Sequence, residues 1–123
     1  MRLLLLAIMA LMSSIGFSGE SDFDLCQKYS VGFQKVDQLG PGTVLVVSRE
    51  EPLIFDADGI QLALELAELD AKSQLLGYKK SDSLAGVKKI FSCMKEGYAY
   101  VGIVWSRDSE SKARLLKNQL RSN

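Results

Sequence analysis

Cysteines and carboxylates are the side chains of this sequence that could take part in chemistry. The 123 residues include two cysteines, Cys26 and Cys93, and no histidine. Without an imidazole there is no Ser-His or Cys-His nucleophile, no histidine general base and no histidine ligand for zinc. The composition therefore excludes those enzyme classes.

The two cysteines predict one disulfide bond, because an even pair in a small exported chain most simply bonds to itself. Two free thiols at a redox site are the alternative. It is disfavoured because the sequence has no Cys-x-x-Cys pair to lower a thiol pKa. On the chain-entropy account, closing a loop between Cys26 and Cys93 would stabilise the fold by roughly 4 kcal/mol.

A short acidic segment, Asp56-Ala57-Asp58-Gly59, begins like a calcium-binding loop. The pattern then fails, because the fifth position is Ile60 and the twelfth is Ala67 where a glutamate is required. Acids at the start of a helix, favoured by the helix dipole, account for the segment. The glycines around Pro41 precede a strand and lack the Lys-Ser/Thr signature of a phosphate loop. We therefore expect neither a metal nor a cofactor.

A long helix from Asp58 to Leu76 is the clearest element. Asp58 and Gln61 resemble a capping box at its start, and Gly77 suits the left-handed position that ends a helix. A narrow polar stripe and a wide apolar arc predict that the helix is buried on more than one side. Its alanines lie on one edge and would let a sheet approach closely: Ala63, Ala67 and Ala71.

Asp70 projects into the apolar arc of this helix. A buried carboxylate needs partners, so the favoured interpretation is a buried polar anchor held by backbone N–H groups or by a Lys or Arg. The alternative is a ligand contact or a general base with a raised pKa, as a small carboxylate hydrolase would use. Because the sequence supplies no catalytic partner for Asp70, we assign no catalytic residue.

The remaining elements predict an α+β fold, with one main helix packed on a small antiparallel sheet and a helix at the C-terminus. Strands are expected at Ser30–Val36, Thr43–Ser48, Val87–Met94 and Tyr98–Ser106, and the last helix at Arg107–Asn123. The last two strands form a hairpin with Glu96 and Gly97 in its turn. Its register places Cys93 opposite Tyr100, Phe91 opposite Gly102 and Ile90 opposite Ile103.

Partner contacts are expected from two places. Tyr98 and Tyr100 lie on the face of the hairpin away from the main helix, a face that is either covered by the C-terminal helix or open to a partner. Exposed polar segments supply the others: Lys79 and Lys80 in the linker Tyr78–Ala85, and Glu96 in the hairpin turn. Trp105 is expected in the core.

The first residues predict export. Arg2 precedes an apolar run, Leu3–Met12, and small residues follow, which is the order of a secretory signal peptide. We expect residues 1–18 to be this peptide and residues 19–123 to be a single domain, periplasmic or secreted. The apolar run is shorter than the ~20 residues of a membrane span, so no integral span is expected after cleavage.

The charge is balanced, with 15 basic and 15 acidic residues. Cleavage after residue 18 would remove one basic residue, Arg2, and leave the net charge slightly negative. A general nucleic-acid binder needs a basic face to displace phosphate counterions. We therefore expect no nucleic-acid partner.

Two segments, Ala63–Leu76 with its Asp-Ala-Lys step and Gly97–Ser106 with its terminal Trp105, resemble a group of small bacterial envelope domains. These domains occur in outer-membrane lipoproteins and at the N-terminus of the flagellar H-ring protein. The resemblance implies a helix on an antiparallel sheet, used as a structural or interaction module without catalysis. This chain differs from them in lacking a lipid-attachment cysteine and in carrying Cys26 and Cys93.

The sequence thus predicts a non-catalytic protein of the cell envelope that binds a protein partner. The alternative is a secreted inhibitor or immunity-type protein that blocks a toxin or lysozyme-like enzyme through an exposed loop.

Overall fold

Alternating and β-branched runs form strands, and the two periodic apolar segments form the long helices. A computed structural model describes residues 21–122, so the predicted signal peptide lies outside the described residues. The elements are α1 (Asp22–Lys28), β1 (Gly32–Lys35), β2 (Val44–Glu50), α2 (Ala57–Lys79), β3 (Lys88–Lys95), β4 (Tyr98–Trp105) and α3 (Arg107–Ser122). The strands make one antiparallel sheet in the order β1-β2-β4-β3. The α+β prediction, including the C-terminal helix, is confirmed.

Helix α2 covers one face of the sheet. The alanine edge of the helix, Ala63, Ala67 and Ala71, is buried together with Leu75. Against it pack the β2 and β4 side chains of the same face, namely Val44, Val46, Val101, Ile103 and Trp105. Small side chains on the helix let its axis come close to the sheet, as the sequence predicts.

The ends of α2 differ from the prediction. Asp56, not Asp58, is the N-cap, and its carboxylate accepts a hydrogen bond from the Gly59 N–H at 2.7 Å. Gly77 lies inside the helix, which ends at Lys79. Lys80 takes the left-handed conformation with φ 53°, and its N–H donates to the Leu76 carbonyl. The helix runs past the glycine because tertiary contacts of its last turn hold it there.

The opposite face is covered by α1 at the start of the described chain. The Ser21 hydroxyl caps this seven-residue helix by accepting from the Asp24 N–H. Cys26 is fully buried and forms the predicted disulfide with Cys93 of β3. The sequence left this face either covered by the C-terminal helix or open to a partner, and α1, joined to the sheet by the disulfide, covers it.

The hairpin register is confirmed at two of the three predicted pairs. Cys93 lies opposite Tyr100, and Phe91 lies opposite Gly102, where the Phe91 ring fills the space of an absent side chain. The third pair is wrong: Ile103 pairs with Lys89, because Ile90 is the extra residue of a bulge. Ile90 therefore packs on the α1 face of the sheet.

Helix α3 is anchored through its first turn. The Ser109 hydroxyl donates to the Gly86 carbonyl at 3.0 Å. Gly86 has φ 80°, and a Cβ there would lie 2.4 Å from the Glu110 nitrogen, so this close approach requires glycine. None of the helices among residues 21–122 combines the length and apolarity needed to cross a membrane.

Candidate protein-interaction surface

The outward side of α2 is apolar, which the sequence did not lead us to expect. Helical spacing places Leu62, Leu66 and Leu69 about half a turn away from the buried alanine edge. All three are exposed, Leu69 by 62%. The apolar arc of the helix is wider than the sheet can cover, so the prediction of burial on more than one side is wrong. We call these three residues the leucine face.

A second exposed apolar group precedes α2. The loop after β2 carries Leu53, Ile54 and Phe55 in succession, and Leu53 is 95% exposed. We call these residues the apolar loop. The loop is held in place at Gly59, where a Cβ would lie only 1.9 Å from the Ile54 carbonyl oxygen, so the backbones of loop and helix are in direct contact.

Loop and helix border an open hollow of about 400 Å³. Its walls are Leu53, Ile54, Leu62 and Leu66, and Gly59 contributes no side chain to it. The acidic residues on its lining are Glu51, Asp56 and Asp58. An apolar depression with a charged rim suits the insertion of an apolar side chain from another protein.

Of the predicted contact residues, Tyr98 and Glu96 lie at the hairpin end of the sheet. Glu96 is exposed in the turn, with φ 54°. Tyr98 is half-buried, and the exposed Arg49 guanidinium stacks over its ring at 4.5 Å from the centroid. The pKa of Arg49 is raised, chiefly by its side-chain hydrogen bond with Tyr100.

Tyr100 is not available as a contact, because it is only 6% exposed. Its ring belongs to the core beneath α1, together with Phe91 and Cys26. Lys95 covers it further, with Nζ 5.2 Å from the ring centroid. The sequence left this face either covered or open, and α1 covers it.

Lys79 is likewise structural. Its side chain is 4% exposed, and Nζ lies 2.8 Å from the Glu110 carboxylate. Nζ also donates to the Ser83 carbonyl at 2.6 Å and lies 4.7 Å from the centre of the buried Trp105 ring. These contacts tie α2, the following loop and α3 together. The same hydrogen bond with Lys79 is the main reason that the pKa of Glu110 is lowered.

The two predicted contact segments do not form one surface. Lys80 is exposed but follows Lys79, which lies against Trp105 at the far end of β4, whereas Tyr98 begins that strand. Seven steps along a strand at ~3.3 Å each separate the two ends by roughly 23 Å. The surface that is continuous lies between these ends, along α2.

Asp70 is exposed, which corrects the expectation of a buried carboxylate. Its carboxylate accepts hydrogen bonds from the hydroxyl of Ser48, which is buried on β2, and from the Gln74 amide at 2.8 Å. Asp70 therefore joins α2 to the sheet from the helix edge. The partner is a serine hydroxyl in place of the Lys, Arg or backbone N–H that we expected.

The described residues contain no group of three or more Cys, Asp or Glu side chains placed to hold a metal ion. Carboxylates are instead used in ion pairs along α2. Glu68 lies 2.9 Å from Lys72 and 3.2 Å from Lys89 of β3. Its pKa is lowered, mainly by the hydrogen bond from Lys72.

Two signals in the sequence pointed to the surface that we missed. One is the run Leu53-Ile54-Phe55 directly after Pro52, three large apolar residues outside any predicted element. The other is the spacing of the leucines in α2. Comparison with known families, curated proteins and solved structures finds no match to this chain.

Proposed function

We propose that this protein is a non-catalytic interaction domain of the cell envelope, exported to the periplasm or secreted. It binds a protein partner through the surface formed by the apolar loop and the leucine face. The observation that carries the proposal is one hollow lined by members of both exposed groups, Leu53 and Ile54 of the apolar loop and Leu62 and Leu66 of the leucine face. Large apolar patches with polar rims mark protein contacts, whereas single exposed leucines need no explanation.

The disulfide supports a location outside the cytoplasm. The Cys26–Cys93 bond indicates a non-cytoplasmic protein, because disulfides persist in oxidising compartments and are rare in the cytosol. The signal-peptide pattern of residues 1–18 and the resemblance to envelope domains favour the periplasm or secretion. The burial of Lys79 and Tyr100 moves the proposed contact away from them and onto α2 and its preceding loop.

The test is affinity capture of the oxidised protein from its native envelope fraction, with the bound proteins identified by mass spectrometry. The variant Leu53→Ser/Phe55→Ser should lose the captured partner, because both side chains are exposed and belong to the apolar loop. The matched control is Leu115→Ser/Leu120→Ser on α3, which removes two leucines that are also exposed and should keep the partner.

Equal capture by both variants would contradict the proposed surface. Capture of a hydrolase or toxin whose activity falls when the protein is added would favour the inhibitor alternative over a structural module. An envelope protein recovered in stoichiometric amount, and lost only with the apolar-loop variant, would support the proposal.

A further inference from the structure

We infer that the leucine face binds a second copy of this chain through an antiparallel pair of α2 helices. The inference rests on the proposed function, since it names the partner of that surface. The first argument is spacing. Leu62, Leu66, Leu69, Ser73 and Leu76 follow one another at intervals of four, three, four and three residues, the a/d repeat of helices that pair side by side.

These five residues form a seam along α2 that faces away from the sheet and is available to a partner. Leu62, Leu66 and Leu69 are exposed, and Leu76 is half-buried near the end of the helix. The alanines that bind the sheet lie on the opposite side. A second helix can therefore pack along α2 without disturbing the core.

An antiparallel pair with its two-fold axis between Leu66 and Leu69 matches the shape of the seam. Each Leu66 then opposes the other copy's Leu69, and Leu62 opposes Ser73. In the same register, Leu76 of one copy opposes Gly59 of the other. Gly59 lies at the hollow between the apolar loop and α2, so the hollow receives the Leu76 side chain.

The charges beside the seam distinguish antiparallel from parallel pairing. In the antiparallel register Glu65 flanks the seam opposite Lys72 of the other copy, and the symmetry makes this contact twice. The exposed Lys80 comes near the other copy's Asp58 at the acidic start of α2. A parallel pair would instead place Glu65 beside Asp70, two like charges. Complementary charge therefore favours the antiparallel pair.

The net charge is close to zero with or without Arg2 of the predicted signal peptide, so two copies can approach without strong mutual repulsion. A different envelope protein on the leucine face would need its own complementary seam, whereas the second copy already provides one.

Sedimentation of the purified, oxidised protein over a range of concentrations tests the inference. We expect a monomer–dimer equilibrium. Leu66→Asp/Leu69→Asp should raise the dimer dissociation constant by about 100-fold, since these are the central contacts. Leu115→Asp/Leu120→Asp should leave it unchanged. Circular dichroism and the thermal midpoint identify any variant that has lost its fold.

A charge exchange tests the register. Glu65→Lys and Lys72→Glu should each weaken self-association by about 5-fold or more, because each creates like-charge contacts. Mixing the two variants should restore a dimer that contains one of each. That result would not follow from a parallel pair, nor from a dimer formed through another surface.

A protein that stays monomeric up to millimolar concentration would overturn the inference, as would a dimer that survives Leu66→Asp/Leu69→Asp. Neither result would by itself remove the proposed function. If the monomer still captured an envelope protein, and Leu53→Ser/Phe55→Ser abolished that capture, the surface would bind a different partner.

Discussion

The two faces of the sheet are covered by helices of very different length. α2 has 23 residues and is held on its face mainly by apolar packing, with polar links from Asp70 to the buried Ser48 and from Glu68 to Lys89 of β3. α1 has seven residues and is joined to β3 by the disulfide Cys26–Cys93. A short helix buries too little apolar surface to offset the entropy of ordering it. The disulfide bond adds stability to the packing of α1 on the sheet.

Helix α2 differs from α1 in having more apolar surface than its face of the sheet can bury. Its apolar residues exceed what the sheet can cover, and the surplus forms the leucine face. One face of the sheet is therefore covered by a short helix tied on by a covalent bond, whereas the other is covered by a long helix whose outward leucines remain exposed. Substitutions on each face can test this difference.

Removal of the disulfide should have the largest effect on stability. Cys26→Ala/Cys93→Ala should lower the free energy of unfolding by about 2–5 kcal/mol. Hydrogen exchange should show that the amides of α1 lose protection while those of α2 keep it. Reduction of the disulfide in the wild-type protein is the control, and it should likewise remove protection from the amides of α1 before those of α2. Earlier loss of protection in α2 would mean that the two faces do not differ as described.

Gly102→Ala should be the next most damaging change. A Cβ at this position would lie 2.2 Å from Cε1 of Phe91, which is 1% exposed on the α1 face. Such overpacking costs about 1–3 kcal/mol, measured by chemical denaturation. Phe91→Leu/Gly102→Ala should recover part of that loss, because the smaller side chain leaves room. No recovery would show that the strain lies in the backbone of β4.

Ser48→Ala should have a moderate effect on the α2 face. It removes the hydrogen bond to Asp70 and should cost about 1 kcal/mol, since the exposed carboxylate can be hydrated instead. Gln74→Ala is the control, because it removes the exposed hydrogen bond to Asp70 and leaves the Ser48 bond in place. Thermal denaturation should show a larger decrease of the thermal midpoint, relative to wild type, for Ser48→Ala than for Gln74→Ala.

Asp70→Asn separates the structural role of this residue from the hydrolase alternative. A shift in the thermal midpoint comparable to that of Ser48→Ala supports a link between α2 and the sheet. An unchanged midpoint with loss of a measured hydrolytic activity would instead identify Asp70 as a general base.

The smallest effect concerns pH and the junction of α2 with α3. Lys79 lowers the pKa of Glu110 in the folded protein. The ion pair therefore contributes fully above the unfolded pKa of about 4.3, and its contribution is lost as pH falls through the lower, folded pKa. Lys79→Met should reduce this dependence, measured as the thermal midpoint between pH 7 and pH 3. An unchanged pH profile would show that the pair adds little.

Local patterns predicted much of the fold. The turn at Glu96 and Gly97 sets the hairpin register near it, and two predicted pairs are correct. The register changes at Ile90, where β3 has a bulge. The bulge was not predicted, because it depends on packing and leaves no signature in the sequence of one strand. The end of α2 was misplaced for a similar reason: Gly77 is a good helix terminator by itself, but the contacts of Lys79 with Glu110 and Trp105 extend the helix beyond it.

Among the candidate contacts, Glu96 and Lys80 are exposed as the sequence indicated, and Tyr98 is half-buried. The burial of Tyr100 and Lys79 was not predictable, because it depends on which distant element covers each side chain.

Residue types and short-range spacing were enough to predict the pairing of Cys26 with Cys93, the close-packing alanine edge of α2 and the antiparallel hairpin. Which helix covers each face, and how far the sheet reaches beneath α2, depend on contacts between elements that are distant in the sequence. The sequence of a helix with a wide apolar arc does not show which part of the arc packs on the sheet and which part stays exposed. What the sheet leaves uncovered, the leucine face, is the part of the helix available for binding.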